Sequence, residues 1–295
     1  MSVVDATPSR PADLGGDSTL LIRRAQSVAG VFAASLCAGI AAVVLLLILS
    51  YVVREGRSSL GIVFLTQVPR PVGIAGGGVG NGIAGSIIVV GLSVVIATPM
   101  GVLTGIYLAL FGRGPASEFV RFIADVLSGI PSIAIGIFAY TVLVAPFKHF
   151  SGFSAAFAFA ILMLPLIIRT TEESVRRLAP SIREGSLALG LSLYATTMHV
   201  MLPAAQAGII TGLLLAVARV TGETAPLLFT AFGSQFWELN PANPMAELSL
   251  QIFTYAISPY QDWHRQAWAG ALLLIIAVFA INVLARISFR PSARR

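Results

Sequence analysis

Residues 181 to 232 read SIREGSLALGLSLYATTMHVMLPAAQAGIITGLLLAVARVTGETAPLLFTAF, a polar and amphipathic stretch that passes at Pro203 into a long apolar block. Ser181-Ile182-Arg183-Glu184 has the S-x-x-E form of a capping box, which predicts a short helix beginning near Ile182. Gly190 ends that helix and Ser192 caps a second one, which runs to Pro203. Proline has no N–H to donate, which suits the entry of a new helix. The apolar block, about Ala204 to Phe232, exceeds the roughly 20 residues needed to cross a bilayer. The stretch reads as a helix, a glycine corner and a helix on a membrane surface, leading into a span.

Outward from it the chain repeats the same alternation. Of its 295 residues 56% are hydrophobic and 11% charged, against about 25% charged in soluble domains, and the mean hydropathy is +0.87. Further spans are expected at about Val28 to Val53, Gly82 to Phe111, Phe119 to Ala145, Phe153 to Ile168 and Ala267 to Ile287. The third is broken by Gly129 and Pro131, and the fourth is short. Residues 1–27 form a polar tail with no signal-peptide pattern, 28–287 a membrane domain, and 288–295 a basic tail. The segment 54–81 and the low-hydropathy segment 233–266 read as loops on the far side.

Basic residues orient the chain. Thirteen lie in one set of alternate segments (Arg10, Arg23, Arg24, Arg113, Arg121, Arg169, Arg176, Arg177, Arg183, Arg286, Arg290, Arg294, Arg295). Five lie in the other: Arg54, Arg57, Arg70, Lys148 and Arg265. Cytoplasmic loops retain Lys and Arg, so both termini and the loop at about 171–203 are expected inside. Trp237, Trp263 and Trp268 then fall at or near the outer interface. The net charge of +6 reads as topology rather than as a nucleic-acid surface.

Glu184-Gly185-Ser186, three residues, Gly190, nine residues, then Val200-x-Leu202-Pro203 resembles the EAA loop of ABC importer permeases, whose pattern is E-A-A, three residues, G, nine residues, I-x-L-P. Gly185 and Ser186 replace alanines and Val200 an isoleucine, each keeping size or character. PRPVGIAGGGVGNGIAGSI (69–87), DVLSGIPSIAIGIF (125–138), LPLIIRTTEESVR (164–176) and RVTGETAPLLFTA (219–231) are similar, in order, to the A-type (PstA) permeases of phosphate-specific ABC importers. The resemblance implies an all-α integral membrane protein of about six transmembrane helices, type I ABC importer permease-like, in the bacterial cytoplasmic membrane. It implies inorganic phosphate as substrate and no catalytic site in this chain. It implies three protein partners: an ABC ATPase subunit that holds ATP and Mg, a second permease of the PstC type, and an extracytoplasmic phosphate-binding protein. Glu184, Gly185, Ser186, Ala188, Leu189, Gly190, Leu202 and Pro203 would form the surface that couples to the ATPase.

The residues themselves say less about the pathway. Arg219 lies about fifteen residues into the fifth span, near mid-bilayer at about 1.5 Å per residue. A central arginine costs about 2.5–3.5 kcal/mol on insertion scales, so it faces a pathway or a partner rather than lipid. Glu223 follows at i,i+4 and is placed to pair with it. The guanidinium suits a phosphate oxygen pair, and the same two residues also suit a simple lock between helices. Thr221, Asp125 and Arg169 complete the candidate pathway or gating set, with Asp125 placed to bridge Arg121 one turn earlier. Pro99, Pro131 and Pro226 are kink sites.

Several classes are opposed. A P-loop needs G-x-x-x-x-G-K-S/T, and Lys148, the one lysine, stands in Pro146-Phe147-Lys148-His149. The single Cys37 excludes an internal disulfide, and the three histidines are isolated, so no metal site is expected. An importer permease for another oxyanion or solute would share the EAA loop but not the PstA-like stretches. An ion-coupled carrier would need neither, and no paired acids or Ser-Lys constellation supports a membrane-embedded enzyme.

Overall fold

The computed structural model describes residues 17–71, 74 and 76–288. Of the polar tail expected over 1–27, residues up to 16 lie outside these, while 17–27 are helical and continuous with the first span, which corrects that boundary; the basic tail beyond 288 also lies outside. Among the described residues all regular structure is helical. Helix α1 (Asp17–Gly56) is followed by α2 (Ile62–Thr66), α3 (Gly80–Phe111), α4 (Pro115–Gly129) and α5 (Ser132–Phe147). The chain continues as α6 (Gly152–Arg176), α7 (Pro180–Ala188), α8 (Leu193–Thr221), α9 (Ala225–Thr230), α10 (Leu248–Ala256) and α11 (Gln261–Ser288). Among the described residues five helices are long and apolar enough to cross a membrane, or six spans if the bent pair α4–α5 counts as one. Up to Tyr51, α1 forms a unit of its own, and Val52 onward forms a second.

Helix α6 is the centre of the second unit. In its most apolar window 67% of residues are buried, against 22% in α3, and Phe159, Met163 and Ile167 are wholly enclosed. Small residues let its neighbours approach, the packing device of apolar helices that have no hydrophobic driving force between them. A Cβ on Gly101 or Gly105 of α3 would meet Ile167 or Thr171 at 2.6 Å. On Gly208 and Gly212 of α8 it would collide with Ser174 and Thr170. These registers make α3 parallel and α8 antiparallel to α6.

The expected break in the third span is found, and three expected helix ends are corrected. The third span is two helices inclined at 104°, because Ile130 and Pro131 are both extended: proline disfavours the helical conformation in the residue before it and has no N–H to continue the ladder. The fourth span does not stop at Ile168 but runs to Arg176. There Thr170 and Ser174 bond back to the Leu166 and Thr170 carbonyls, and Glu172–Arg176 and Glu173–Arg177 pair at i,i+4. The helix after Ser192 does not end at Pro203. A π-turn over Thr196–Met201 shifts the hydrogen-bond register just before it, and the helix continues to Thr221. The fifth span ends at Thr221 rather than Phe232, because Pro226 cannot bond the Gly222 carbonyl; the chain restarts as α9. Pro99, by contrast, sits within continuous α3.

The segment 233–266, expected as a loop, holds the buried helix α10. It is stitched to the start of α3: Asn81 donates to the Ser234 carbonyl at 2.8 Å, Gln251 to the Gly78 carbonyl at 3.2 Å, and the Leu248 N–H to Ser86 Oγ at 2.9 Å. Gly85 lies so close to Ala246 that a Cβ would overlap its carbonyl oxygen.

Candidate coupling surface and translocation pathway

Helix α7 begins at Pro180, with Ala179 as N-cap and no side-chain cap bond. The expected capping box is therefore not used: Ser181 lies inside the helix, whose start is set by the φ that proline imposes at the first position. Its end is as the glycine suggested. Gly190 has φ +84, its N–H donates to the Leu187 carbonyl at 3.0 Å, and the Leu191 N–H donates to the Ser186 carbonyl at 3.3 Å. This is a Schellman end, which requires a left-handed residue and so favours glycine. Ser192 then caps α8, accepting from the Ala195 N–H at 3.2 Å. Glu184, Gly185, Ala188, Leu189 and Gly190 are exposed, while Ser186 is buried beneath them. Leu189 is 85% and Tyr194 70% exposed, and a Cβ on Gly185 would touch nothing. The result is a small-residue ridge with apolar flanks, free on its outer side. Leu202 and Pro203 lie further on, in the first half of α8.

Behind this ridge, the end of α6 carries a charge cluster. Glu172 accepts from Arg121 Nε at 2.9 Å and pairs with Arg176 at 3.2 Å. Arg121 Nη2 also donates to the Leu108 and Gly112 carbonyls at the end of α3, at 3.1 and 3.2 Å. Asp125 pairs with Arg169. The expected Arg121–Asp125 bridge is thus replaced by two bridges to α6, because α4 lies against that helix. The cluster lines a cavity of about 270 Å³. Sequence reasoning missed Glu172, although an acid one turn before an arginine at the end of an apolar run was a usable signal.

Arg219 is exposed on α8. Gly212 opposes Thr170 and Gly208 opposes Ser174, so Arg219 falls level with Met163, about 17 Å from one end of α6 and about 20 Å from the other at 1.5 Å per residue. That level is midway along α6, and the expected i,i+4 pairing is not formed. Glu223 lies beyond the helix end, and among the described residues no ion pair joins it to Arg219. Thr221 is buried and bonds the Val217 carbonyl of its own helix at 2.7 Å.

A second acid escaped sequence reasoning, and nothing in its local pattern marks it. Glu247 is 1% exposed, the N-cap of α10, and burial pushes its carboxyl up to about 7 against the lowering effect of hydrogen bonds from Ser249 and Ser86.

Residues 101–295 match the family of binding-protein-dependent transport system inner membrane components. The phosphate transport system permease protein PstA of Yersinia pestis is 43% identical over 246 residues, 83% of either chain. Its counterpart in Haemophilus influenzae is 43% identical over 244 residues, 82% of this chain and 86% of that one. PstA 1 of Mycobacterium tuberculosis is 38% identical over 223 residues, covering 74% of this chain. Among solved structures, an inward-facing MetNI methionine ABC transporter aligns with a TM-score of 0.60 at 16% identity, over 72% of this chain and 95% of that one. That likeness speaks for the fold alone.

Proposed function

This chain belongs to the binding-protein-dependent importer permeases, and within them to the PstA type, and we propose that it forms half of the translocation pathway of an ATP-driven importer of inorganic phosphate. One observation carries the substrate: 43% identity, over 83% of both chains, to a phosphate transport permease. In this reading the chain sits in the bacterial cytoplasmic membrane with both termini inside. A second, PstC-type permease completes the pore, an extracytoplasmic binding protein delivers phosphate, and a separate ATPase supplies the energy with its own ATP and Mg. The ridge from Glu184 to Gly190 meets that ATPase, supported by its exposure and by the rigid glycine end behind it. Asp125 and Arg169 belong to the gate at the same end of α6.

Arg219 lines the path. The support is a mid-depth guanidinium, exposed in the single chain, with no carboxylate against it among the described residues. Such a group needs water, a partner or an anion, and a paired fork of donors suits phosphate. The complete importer, reconstituted in vesicles, should take up phosphate and exclude sulfate only when ATP is supplied; equal uptake of sulfate would overturn the substrate. Uptake by Arg219→Gln, Glu223→Gln and the double variant tests the residue. Loss that persists in the double variant is the result expected of a phosphate contact, whereas recovery means that the two charges form a lock within the assembled pore.

A further inference from the structure

Ser249 Oγ stands 2.7 Å from Glu247 Oε2 and 2.7 Å from the Glu223 carbonyl oxygen. A hydroxyl has one hydrogen, so it can donate to only one of them. The Glu223 carbonyl has little local alternative. Pro226, three residues on, has no N–H, and the Leu227 N–H donates to the Thr224 carbonyl at 3.1 Å. Both short contacts are satisfied at once only if Glu247 itself brings a proton. Its Oε1 has no hydrogen-bond partner, and Ser249 Oγ, 2.7 Å from Oε2, is placed to accept that proton. Oε2 still accepts from the Ser249 N–H at 2.9 Å in either state.

We propose that Glu247, Ser249 and the Glu223 carbonyl form a proton-dependent clasp between α10 and the break in the fifth span. With the acid protonated, Oε2–H donates to Ser249 Oγ and the Ser249 O–H donates to the Glu223 carbonyl, tying the Gly222–Thr224 break to α10. With the acid ionised, the hydroxyl turns to Oε2, the carbonyl loses its partner, and the break is free to move. The proton has a route, because Glu247 lines a cavity of about 360 Å³ with Ser234, Gln251 and Thr254.

The surroundings leave Glu247 to titrate on its own. From α3 it faces Ser86, and Gly80–Phe111 contains no acidic or basic residue; α9 contains none either. On α11, Asp262 pairs with Arg265 and the His264 ring lies 2.6 Å from the Ser258 carbonyl. In its own segment Glu238 is held by Asn240 and Asn243, and Tyr255 on α10 accepts from Gln251. The Glu223 side chain is half-buried and in no ion pair among the described residues. Burial is then the largest influence on the carboxyl, which it raises to about 7, so both states are reached near neutrality.

The clasp does not depend on what the chain carries, so its test needs no transport. A Thr224→Cys variant of the full-length chain, in lipid nanodiscs and with Cys37→Ser, is labelled with a maleimide across the pH range. Rates are divided by those of an exposed Leu239→Cys control, to cancel thiolate formation. The expected ratio rises about fivefold between about pH 6 and 8, the population change that one neutral hydrogen bond sustains. Adding Glu247→Gln should make the ratio flat, since an amide does not titrate in this range. Ser249→Ala should make it high and flat. A flat ratio in the parent, a midpoint in the ordinary carboxyl range near about 4.3, or an unchanged rise in Glu247→Gln overturns the clasp. Should Glu247→Gln not fold, a rise that persists in Ser249→Ala does the same.

Discussion

Arg121 on α4 lies 2.9 Å from Glu172 on α6 while its other nitrogen donates to the carbonyls of Leu108 and Gly112, so one side chain closes the end of α3 and holds α4 to the central helix. Glu172 stands one turn from Arg176, where α6 hands over to the α7 ridge. Arg121→Met should lower stability by about 2 kcal/mol, less than the full cost of stranding a buried charge because Arg121 is 28% exposed and Arg176 remains. Arg121→Lys should recover little, since an ammonium cannot span three acceptors that a planar fork reaches. Thermal unfolding in detergent measures both, and a lysine variant as stable as the parent would contradict the strut.

Two glycines on one helix make a matched pair. Gly85 backs onto the Ala246 carbonyl, whereas a Cβ on Gly91 would touch nothing. Gly85→Ala should cost about 2–3 kcal/mol through overpacking and loss of the seam to the 246–251 segment. Gly91→Ala should be neutral or stabilising by up to about 1 kcal/mol, from helix propensity alone. Equal melting temperatures for the two variants would show that the seam does not bear on stability.

Gly190 tests the coupling surface. Its φ of +84 costs a β-branched residue at least about 1–2 kcal/mol, so Gly190→Val should distort the end of α7 and weaken ATPase capture roughly tenfold. Membrane insertion should be unchanged. Co-purification of the ATPase from equal amounts of inserted permease is the measurement, and full capture would remove the ridge from the interface.

The topology is checked at Ser181, in the loop expected inside. A Ser181→Cys variant lacking Cys37 should resist an impermeant maleimide added to intact cells and react once the membrane is opened. Ready labelling from outside would invert the whole arrangement.

Glu247 should make stability fall with pH. Its folded-state carboxyl is raised to about 7, above the unfolded value, so the native chain holds a proton that the unfolded chain has released. The stability this contributes is complete below the unfolded value and is lost as pH rises through about 7. Glu247→Gln removes the dependence, and near pH 8 it should be more stable than the parent by roughly 3 kcal/mol, with a much smaller gap near pH 5. Melting curves at the two pH values decide it, and a gap that does not change with pH would rule out a titrating Glu247.

The apolar helices, their order and the glycine corner at Gly190 were legible in the sequence, because each depends on local quantities. A bilayer asks only for enough apolar residues in a row, and Gly190 is a one-residue demand for left-handed backbone that no distant contact needs to supply. The ends of the spans were less legible. Thr170 to Arg176 look polar, yet they continue α6 because their hydroxyls and i,i+4 ion pairs serve the helix itself. Pro203 looks like a boundary, yet a preceding π-turn carries the helix through it.

The partners of charged groups were decided by the tertiary structure alone. Arg121 has Asp125 one turn away in sequence and bonds Glu172 across 51 residues instead, because α4 folds down against α6 and the carboxylate there already lies in a drier setting. Arg219 and Glu223 have the spacing of a pair and do not form one, since the helix ends between them at Thr221. Ser249 meets the Glu223 carbonyl 26 residues away only because α10, a helix too short to announce itself by hydropathy, is buried against the start of α3. Spacing sets which charges can meet along one helix; which of them do meet is set by where neighbouring helices exclude water, and that is a property of the packed whole.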